Sequence, residues 1–349
     1  MSDTVHATVS GLSGRLTLDR PKALNSLDTA MVRAIAGALD RWREDDAIAQ
    51  VILDSAHPKA FCAGGDVRAV REAQLAGDFA SGDEFFAVEY RMNAAIAEFP
   101  KPYLALIDGI AMGGGLGVSL HGSHRVVTER ASAAMPEMAI GFVPDVGVSH
   151  LSQRTPVAGG AADPAVARFL GLTGYRLDAA ELLWAGWATH YLGSADIPAF
   201  LDRADAEGVD AALAEFARDP AEAGEPALAR WRADIDAVFG AGDYAAIEAA
   251  LDAPDRDPGF RAEVGRLLRP AAPTSLVAAV ELYRANLDVD LRTALGHELV
   301  IGGLLRRHPN FAEGVRAVLV DKDRAPRFDP ERAASVDPAP YREALAAAG

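Results

Sequence analysis

The 349 residues are 50% hydrophobic and carry 34 Lys and Arg against 50 Asp and Glu, a formal charge of −16. That much chain can bury one large core plus an appended lobe, and the negative charge with no dense basic run excludes a nucleic-acid surface. Cys62 is the sole cysteine, so no intrachain disulfide is available; the start Met1–Thr4 is polar; and the longest apolar stretch, Tyr103–Leu120, is interrupted by Asp108 and five glycines, a poor membrane span. A cytoplasmic protein with no membrane or nucleic-acid partner is the expectation.

In chain order, short β-branched runs at Val5–Val9, Arg15–Leu18, Gln50–Leu53, Tyr103–Ile107 and His124–Val127 alternate with helical patterns. The clearest helix starts at Asp28 as N-cap and puts Met31, Ile35, Leu39 and Trp42 on one face. Apolar runs flanked by helices predict covered sheets, hence an α/β core over residues 1–200. From residue 201 to 349 the composition shifts to Ala, Asp, Glu and Arg, with helical spacing in Ile235–Leu251 and Leu276–Leu287. A mainly helical lobe is expected there, broken at Pro270 and Pro273, with a proline-punctuated tail beyond Pro326.

Two glycine-rich turns, Phe61–Asp66 and Asp108–Gly115, are suited to leave backbone N–H groups free for a ligand. Each alone also fits a plain packing turn, and neither has the spacing of a phosphate loop. Glu137 and Asp145 each follow a proline, on stiff irregular backbone around the apolar run Met138–Val143, where partial desolvation raises a carboxyl pKa. A helix-end carboxylate or a surface ion pair is the plainer reading of each. If the turns meet, one amide from each holds an oxyanion while an acid works on the same carbonyl, as acyl-thioester chemistry requires. His121 and His124 stand three apart without a thiolate or acidic partner, and the adjacent Ser149 and His150 do not make a triad.

Together Lys59–Asp66, Val88–Asn93, Gly109–Gly117, Met135–Val146, Leu172–Leu177, Ala185–His190 and Glu313–Asp323 resemble the crotonase (enoyl-CoA hydratase/isomerase) superfamily. Within it they look like the 3-hydroxyisobutyryl-CoA hydrolases of valine degradation. The resemblance implies a crotonase-like spiral of ββα units with covered sheets, followed by a C-terminal helical lobe. It implies an oxyanion hole from the amides of Gly65 and Gly114, Glu137 as main catalytic carboxylate, Asp145 as second acid of the acyl pocket and Glu89 as a further substrate-site residue. Coenzyme A would lie against Arg20–Leu24, with Lys22 and Ala23, and against the Ala60–Gly64 edge, with Ala63 and Gly64. The resemblance calls for no metal and no cofactor beyond the coenzyme A of the substrate, and homo-oligomers are common in the superfamily. Hydratases carry a second glutamate where this chain has Gly117, which points to thioester hydrolysis; an enoyl-CoA hydratase or isomerase, or a non-catalytic acyl-CoA-binding protein, are the alternatives. After Asp145 and Val146 the run Gly147–Leu151 departs from the glycines and aromatic residues usual in the hydrolases, which leaves the acyl group open.

Overall fold

The computed structural model describes residues 4–348; Met1–Asp3, the greater part of the polar start, and Gly349 lie outside the described residues. All five expected strands are present: β1 (Val5–Ser10), β2 (Ser13–Leu18), β3 (Gln50–Ser55), β5 (Tyr103–Ile107) and β7 (His124–Val127). Four short ones join them: β4 (Ala60–Cys62), β6 (Ile110–Met112), β8 (Ser132–Ala134) and β9 (His190–Tyr191). With two or three residues each, these carry too little alternation to be legible as strands, and two of them sit inside the glycine-rich segments read as turns.

A six-stranded sheet runs β1-β2-β3-β5-β7-β9 and a three-stranded sheet runs β4-β6-β8. Among the described residues only β1 and β2 pair antiparallel; every other strand pair is parallel. The pairs β3/β4, β5/β6 and β7/β8 each send their first strand to the large sheet and their second to the small one, which is the crotonase-like spiral. Parallel strands need both faces covered, and every residue of β5 is buried. On one face Ile52, Leu104, Leu106 and Val126 pack against Phe200, Val209 and Leu213 of the helices Ile197–Glu207 and Val209–Phe216.

The remaining core joins the strands to both early and late helices. In α1 (Thr29–Arg43) Met31, Ile35, Leu39 and Trp42 are buried, and the Asp28 carboxylate caps it by accepting from Met31 N at 2.8 Å. The helical pattern over Ile235–Leu251 is two helices, Arg232–Phe239 and Tyr244–Leu251. The break falls at the glycine pair 240 and 242, after which Asp243 caps the second helix through Ala246 N. Pro273 opens the helix Pro273–Ala285, where its missing N–H costs nothing. Further on, the helix Leu291–Arg307 packs on α3 (Phe79–Ala97), and Pro309–Val315 packs on α2 (Val67–Leu75). The C-terminal region thereby reaches the face where both glycine turns emerge.

Candidate active site

The first glycine turn runs from β4 to α2. Ala63 N donates to Leu24 O, Leu27 N to Gly64 O and Asp66 N to Leu27 O, a pattern that skips Gly65. The second runs from β6 through Gly113 (φ 47°) into α4 (Gly114–Leu120), whose first amide has no partner inside the helix. Among the described residues the amides of Gly65 and Gly114 donate to no protein atom. The turns abut: a methyl on Gly114 would lie 3.1 Å from Gly65 N, and one on Gly64 would lie 3.0 Å from Met112 O.

Each glycine of the triplet serves a different close approach. A methyl would lie 2.6 Å from Glu137 Oε1 on Gly113, 2.5 Å from Glu89 Oε1 on Gly114, and 2.4 Å from Cys62 O on Gly115. The absent side chains therefore let two carboxylates come down onto the backbone between the free amides. At Gly117 a methyl would meet Val146 Cβ at 2.7 Å and Asn93 Nδ2 at 2.9 Å, so no longer side chain fits there without displacing them.

A cavity of about 610 Å³ opens over both turns. Lys22, Ala23, Ala63, Gly64, Gly65, Glu89, Gly114, Glu137 and Asp145, all singled out from the sequence, line it. Arg20 and Lys22 stand with Arg68 and Lys322 as its basic lining residues, and Phe86, Ile140 and Phe142 add apolar wall. Lys322 belongs to the tail of the Glu313–Asp323 segment, so the C-terminal lobe contributes to the cavity.

The chemistry concentrates in three buried carboxyls. Glu89 rides on α3, Glu137 opens the 3-10 turn Glu137–Ile140, and Asp145 lies in the irregular stretch before α5 (Val148–Leu151). Glu89 Oε1 and Glu137 Oε2 have no hydrogen-bond partner among the described residues, whereas Asp145 Oδ2 accepts from Tyr90 Oη at 2.7 Å. Burial raises all three. It pushes Asp145 up to about 7 against the Tyr90 hydrogen bond and the nearby Arg306 charge, which pull it down. Glu89 and Glu137 rise well above the carboxylate range, first through burial and then through the charge of Asp145. Three acids so close cannot all ionise, so near neutral pH the cluster contains both proton donors and proton acceptors.

Two residues with no sequence signal of their own shape this cluster. Tyr90 lies inside the Val88–Asn93 segment. Arg306 is buried, pairs with Asp83 Oδ1 at 2.8 Å and lies over the Phe86 ring at 4.7 Å. His121 is also spent locally: burial takes it down to about 4, leaving it neutral, and its Nε2 donates to Val146 O at 2.6 Å. His124 stacks on His190 instead. Ser149 and His150 part company, the hydroxyl turning to Glu298 and the imidazole to Val289 O.

The sequence and fold match known proteins over nearly their whole length. The family described as enoyl-CoA hydratase/isomerase matches residues 13–345. The mitochondrial 3-hydroxyisobutyryl-CoA hydrolase of Xenopus tropicalis is 38% identical over 332 residues, 93% of this chain and 84% of that protein. A solved carnitinyl-CoA dehydratase from Mycobacterium thermoresistibile is 37% identical with a TM-score of 0.88, covering 99% of this chain and 96% of its own. An enoyl-CoA hydratase structure from Rhodobacter sphaeroides is 38% identical with a TM-score of 0.86, covering 99% and 97%. The mitochondrial relatives overturn the expectation of a cytoplasmic protein: a lone cysteine rules out an intrachain disulfide but does not choose between compartments. With the family pattern spanning 13–345 and hydrolase relatives covering more than nine-tenths of its length, the chain belongs to the crotonase (enoyl-CoA hydratase/isomerase) superfamily, in its 3-hydroxyisobutyryl-CoA hydrolase branch.

Proposed function

We propose that the protein hydrolyses 3-hydroxyisobutyryl-CoA, or a close 3-hydroxyacyl-CoA, to the free 3-hydroxy acid and coenzyme A. The thioester oxygen sits between the amides of Gly65 and Gly114, which stabilise the negative charge that develops when the carbonyl is attacked. Glu137, set against the same turn, either attacks the carbonyl carbon and expels the coenzyme A thiolate, leaving an anhydride for water to cleave, or takes the proton of a water that attacks directly. Asp145 accepts a hydrogen bond from the acyl 3-hydroxyl, with Glu89 beside it. The coenzyme A portion runs along Lys22, Ala23 and the Ala63–Gly64 edge, with Arg20, Arg68 and Lys322 offering charge to its phosphates. The route uses no metal and no cofactor beyond the coenzyme A of the substrate.

The observation that carries this reading is Gly117, whose surroundings, Val146 and Asn93, occupy the space a second hydratase glutamate needs. Water addition to an enoyl-CoA is the second reading, because Glu89 brings another carboxyl to the Gly114 turn and the solved neighbours are named for dehydratase and hydratase activities. Thiol release from a panel of 3-hydroxyisobutyryl, 3-hydroxypropionyl, 3-hydroxybutyryl, isobutyryl and crotonyl thioesters separates the two. Hydrolysis predicts free thiol from the first members and an unchanged enoyl absorbance with the last; loss of that absorbance without thiol establishes the second reading.

A further inference from the structure

Asp145 stands on a turn that its own residues do not favour. Val146 takes φ 54°, the left-handed region, which a β-branched side chain rarely adopts, and Gly147 follows at φ 79°. Such backbone persists only where its surroundings hold it. On one side His121 Nε2 donates to Val146 O at 2.6 Å. On the other stands Glu298, wholly buried on the helix Leu291–Arg307 and outside the cavity lining. One of its oxygens accepts from Gly147 N at 2.7 Å and the other from Ser149 Oγ. Ser149 Oγ in turn accepts from Asn286 Nδ2 at 2.7 Å, and Asn286 Oδ1 meets His297 Nδ1 at 2.7 Å. This polar chain is buried throughout.

A buried carboxyl bonded through both of its oxygens to two groups two residues apart on one turn sets the geometry of that turn more tightly than packing does. We propose that Glu298 is the positioning residue of the acyl pocket: by gripping Gly147 N–H and Ser149 Oγ it sets where the Asp145 carboxyl points, and so sets the preference for acyl groups that carry a 3-hydroxyl. The inference rests on the hydrolase reading with Asp145 as hydroxyl acceptor. It adds that acyl specificity is controlled from a C-terminal helix through a side chain that never touches substrate.

The readout is the ratio of kcat/KM for 3-hydroxyisobutyryl-CoA to that for isobutyryl-CoA, which lacks the hydroxyl. Asp145→Asn and Glu298→Ala each lower the ratio about tenfold, the scale of one well-placed hydrogen bond, and the double variant lowers it no further because both act on one contact. Glu298→Gln, which keeps an acceptor for Gly147 N–H, recovers most of the preference. Equal losses on both substrates, or losses that multiply in the double variant, overturn the proposal, since a purely structural glutamate harms both thioesters alike. If Glu298→Ala does not fold, Ser149→Ala decides, with roughly a threefold fall in the ratio expected from one weakened contact and an unchanged ratio overturning the idea. A wild-type protein that hydrolyses neither thioester, or shows no preference for the hydroxyl, sinks the hydrolase reading and this inference together; a wild-type preference that survives in the variants sinks the inference alone.

Discussion

The two ends of the cavity are made of different materials. At the end where the thioester carbonyl is proposed to sit stand backbone amides, Gly65 and Gly114, exposed by the absence of side chains and held by short parallel strands. At the acyl end they are side chains, Glu89, Glu137 and Asp145, buried together and held by α3, the turn after β8 and the C-terminal helices. Amides carry no titratable proton, so the carbonyl end keeps its field at any pH; the acyl end changes with each proton the cluster gains. A third part couples them, because α4 begins at Gly114 and is capped at its C-terminus by His121, which grips the Asp145 turn. Displacing one end is therefore expected to be felt at the other, through this short helix and through Glu89 and Glu137, which lie against Gly114 and Gly113.

The sharpest test of the acyl end is Glu137→Gln. It removes the ionisable group and its basicity while keeping the shape, and turnover on 3-hydroxyisobutyryl-CoA is expected to fall by roughly 10²–10⁴, the range of general acid–base contributions, with little change in binding. Near-normal turnover would remove Glu137 from the mechanism. In the wild type, hydroxylamine during turnover distinguishes the two routes: an anhydride is trapped as a Glu137 hydroxamate visible by mass, and direct water attack leaves the residue unmodified.

At the carbonyl end, Gly114→Val places a side chain where even a methyl lies 2.5 Å from Glu89 Oε1 and 3.1 Å from Gly65 N. Loss of one oxyanion donor costs about 10²–10³ in turnover. The protein has to be shown folded by its melting curve, because displacing Glu89 also disturbs α3. If a folded variant hydrolyses at the wild-type rate, the carbonyl lies elsewhere and the triplet is a packing turn.

This division also explains what was legible in the sequence. Asp28 and its periodic apolar partners gave α1 because capping and amphipathicity are local, and the five longer strands were readable as apolar runs. The glycine turns and both prolines were visible as points, but the strands at the turns, at three residues each, were too short to show a period. Glu89, Glu137 and Asp145 emerged through the motifs that surround them. Tyr90, Arg306 and Glu298 did not, since each acts through a partner 55, 223 or 149 to 151 residues away and nothing near it in sequence marks the contact. The single helical pattern expected over Ile235–Leu251 hid a break, because two glycines in an alanine-rich run weaken a helix without erasing its spacing.

A smaller effect comes from Tyr90→Phe, which deletes the phenol that donates to Asp145 Oδ2 at 2.7 Å while keeping the ring in the aromatic packing with Phe86. That hydrogen bond pulls the Asp145 pKa down from where burial would leave it. Without it Asp145 holds its proton to higher pH. Since the ionised Asp145 carboxylate is the stronger acceptor for the substrate hydroxyl, the acidic limb of the kcat/KM profile for the hydroxylated thioester is expected to move to higher pH. KM is expected to rise by about tenfold or less, the worth of a hydrogen bond to a charged group. The profile for isobutyryl-CoA should not shift, and a shift of both profiles would show that Asp145 serves the carbonyl chemistry instead.

The smallest effect is on stability, and its sign separates the acyl end from the surface. Burial lifts Asp145 from an ordinary carboxyl value to about 7 and Glu298 to about 8, so between roughly pH 4 and 8 the folded chain holds protons that the unfolded chain has released. Where the native state binds more protons than the unfolded state, stability falls as pH rises. Surface acids such as Asp83 and Glu313, lowered by hydrogen bonds from Arg307 and Arg316, have the opposite sign, but their window lies below about pH 4. Growing repulsion in a chain of formal charge −16 pushes in the same direction as the buried acids, so the wild-type slope alone does not identify its source. Asp145→Asn does, because it removes a titrating group from the cavity and alters the surface charge pattern little. The melting temperature, followed by calorimetry from about pH 5 to 8, is expected to fall for the wild type and to fall less for Asp145→Asn, each kcal/mol corresponding to about 2–4 °C or less in a chain of this size. Parallel curves for the two proteins would mean that Asp145 ionises in the folded state as readily as in the unfolded one, and the acyl end would then lack the buried proton on which its contrast with the amide end depends.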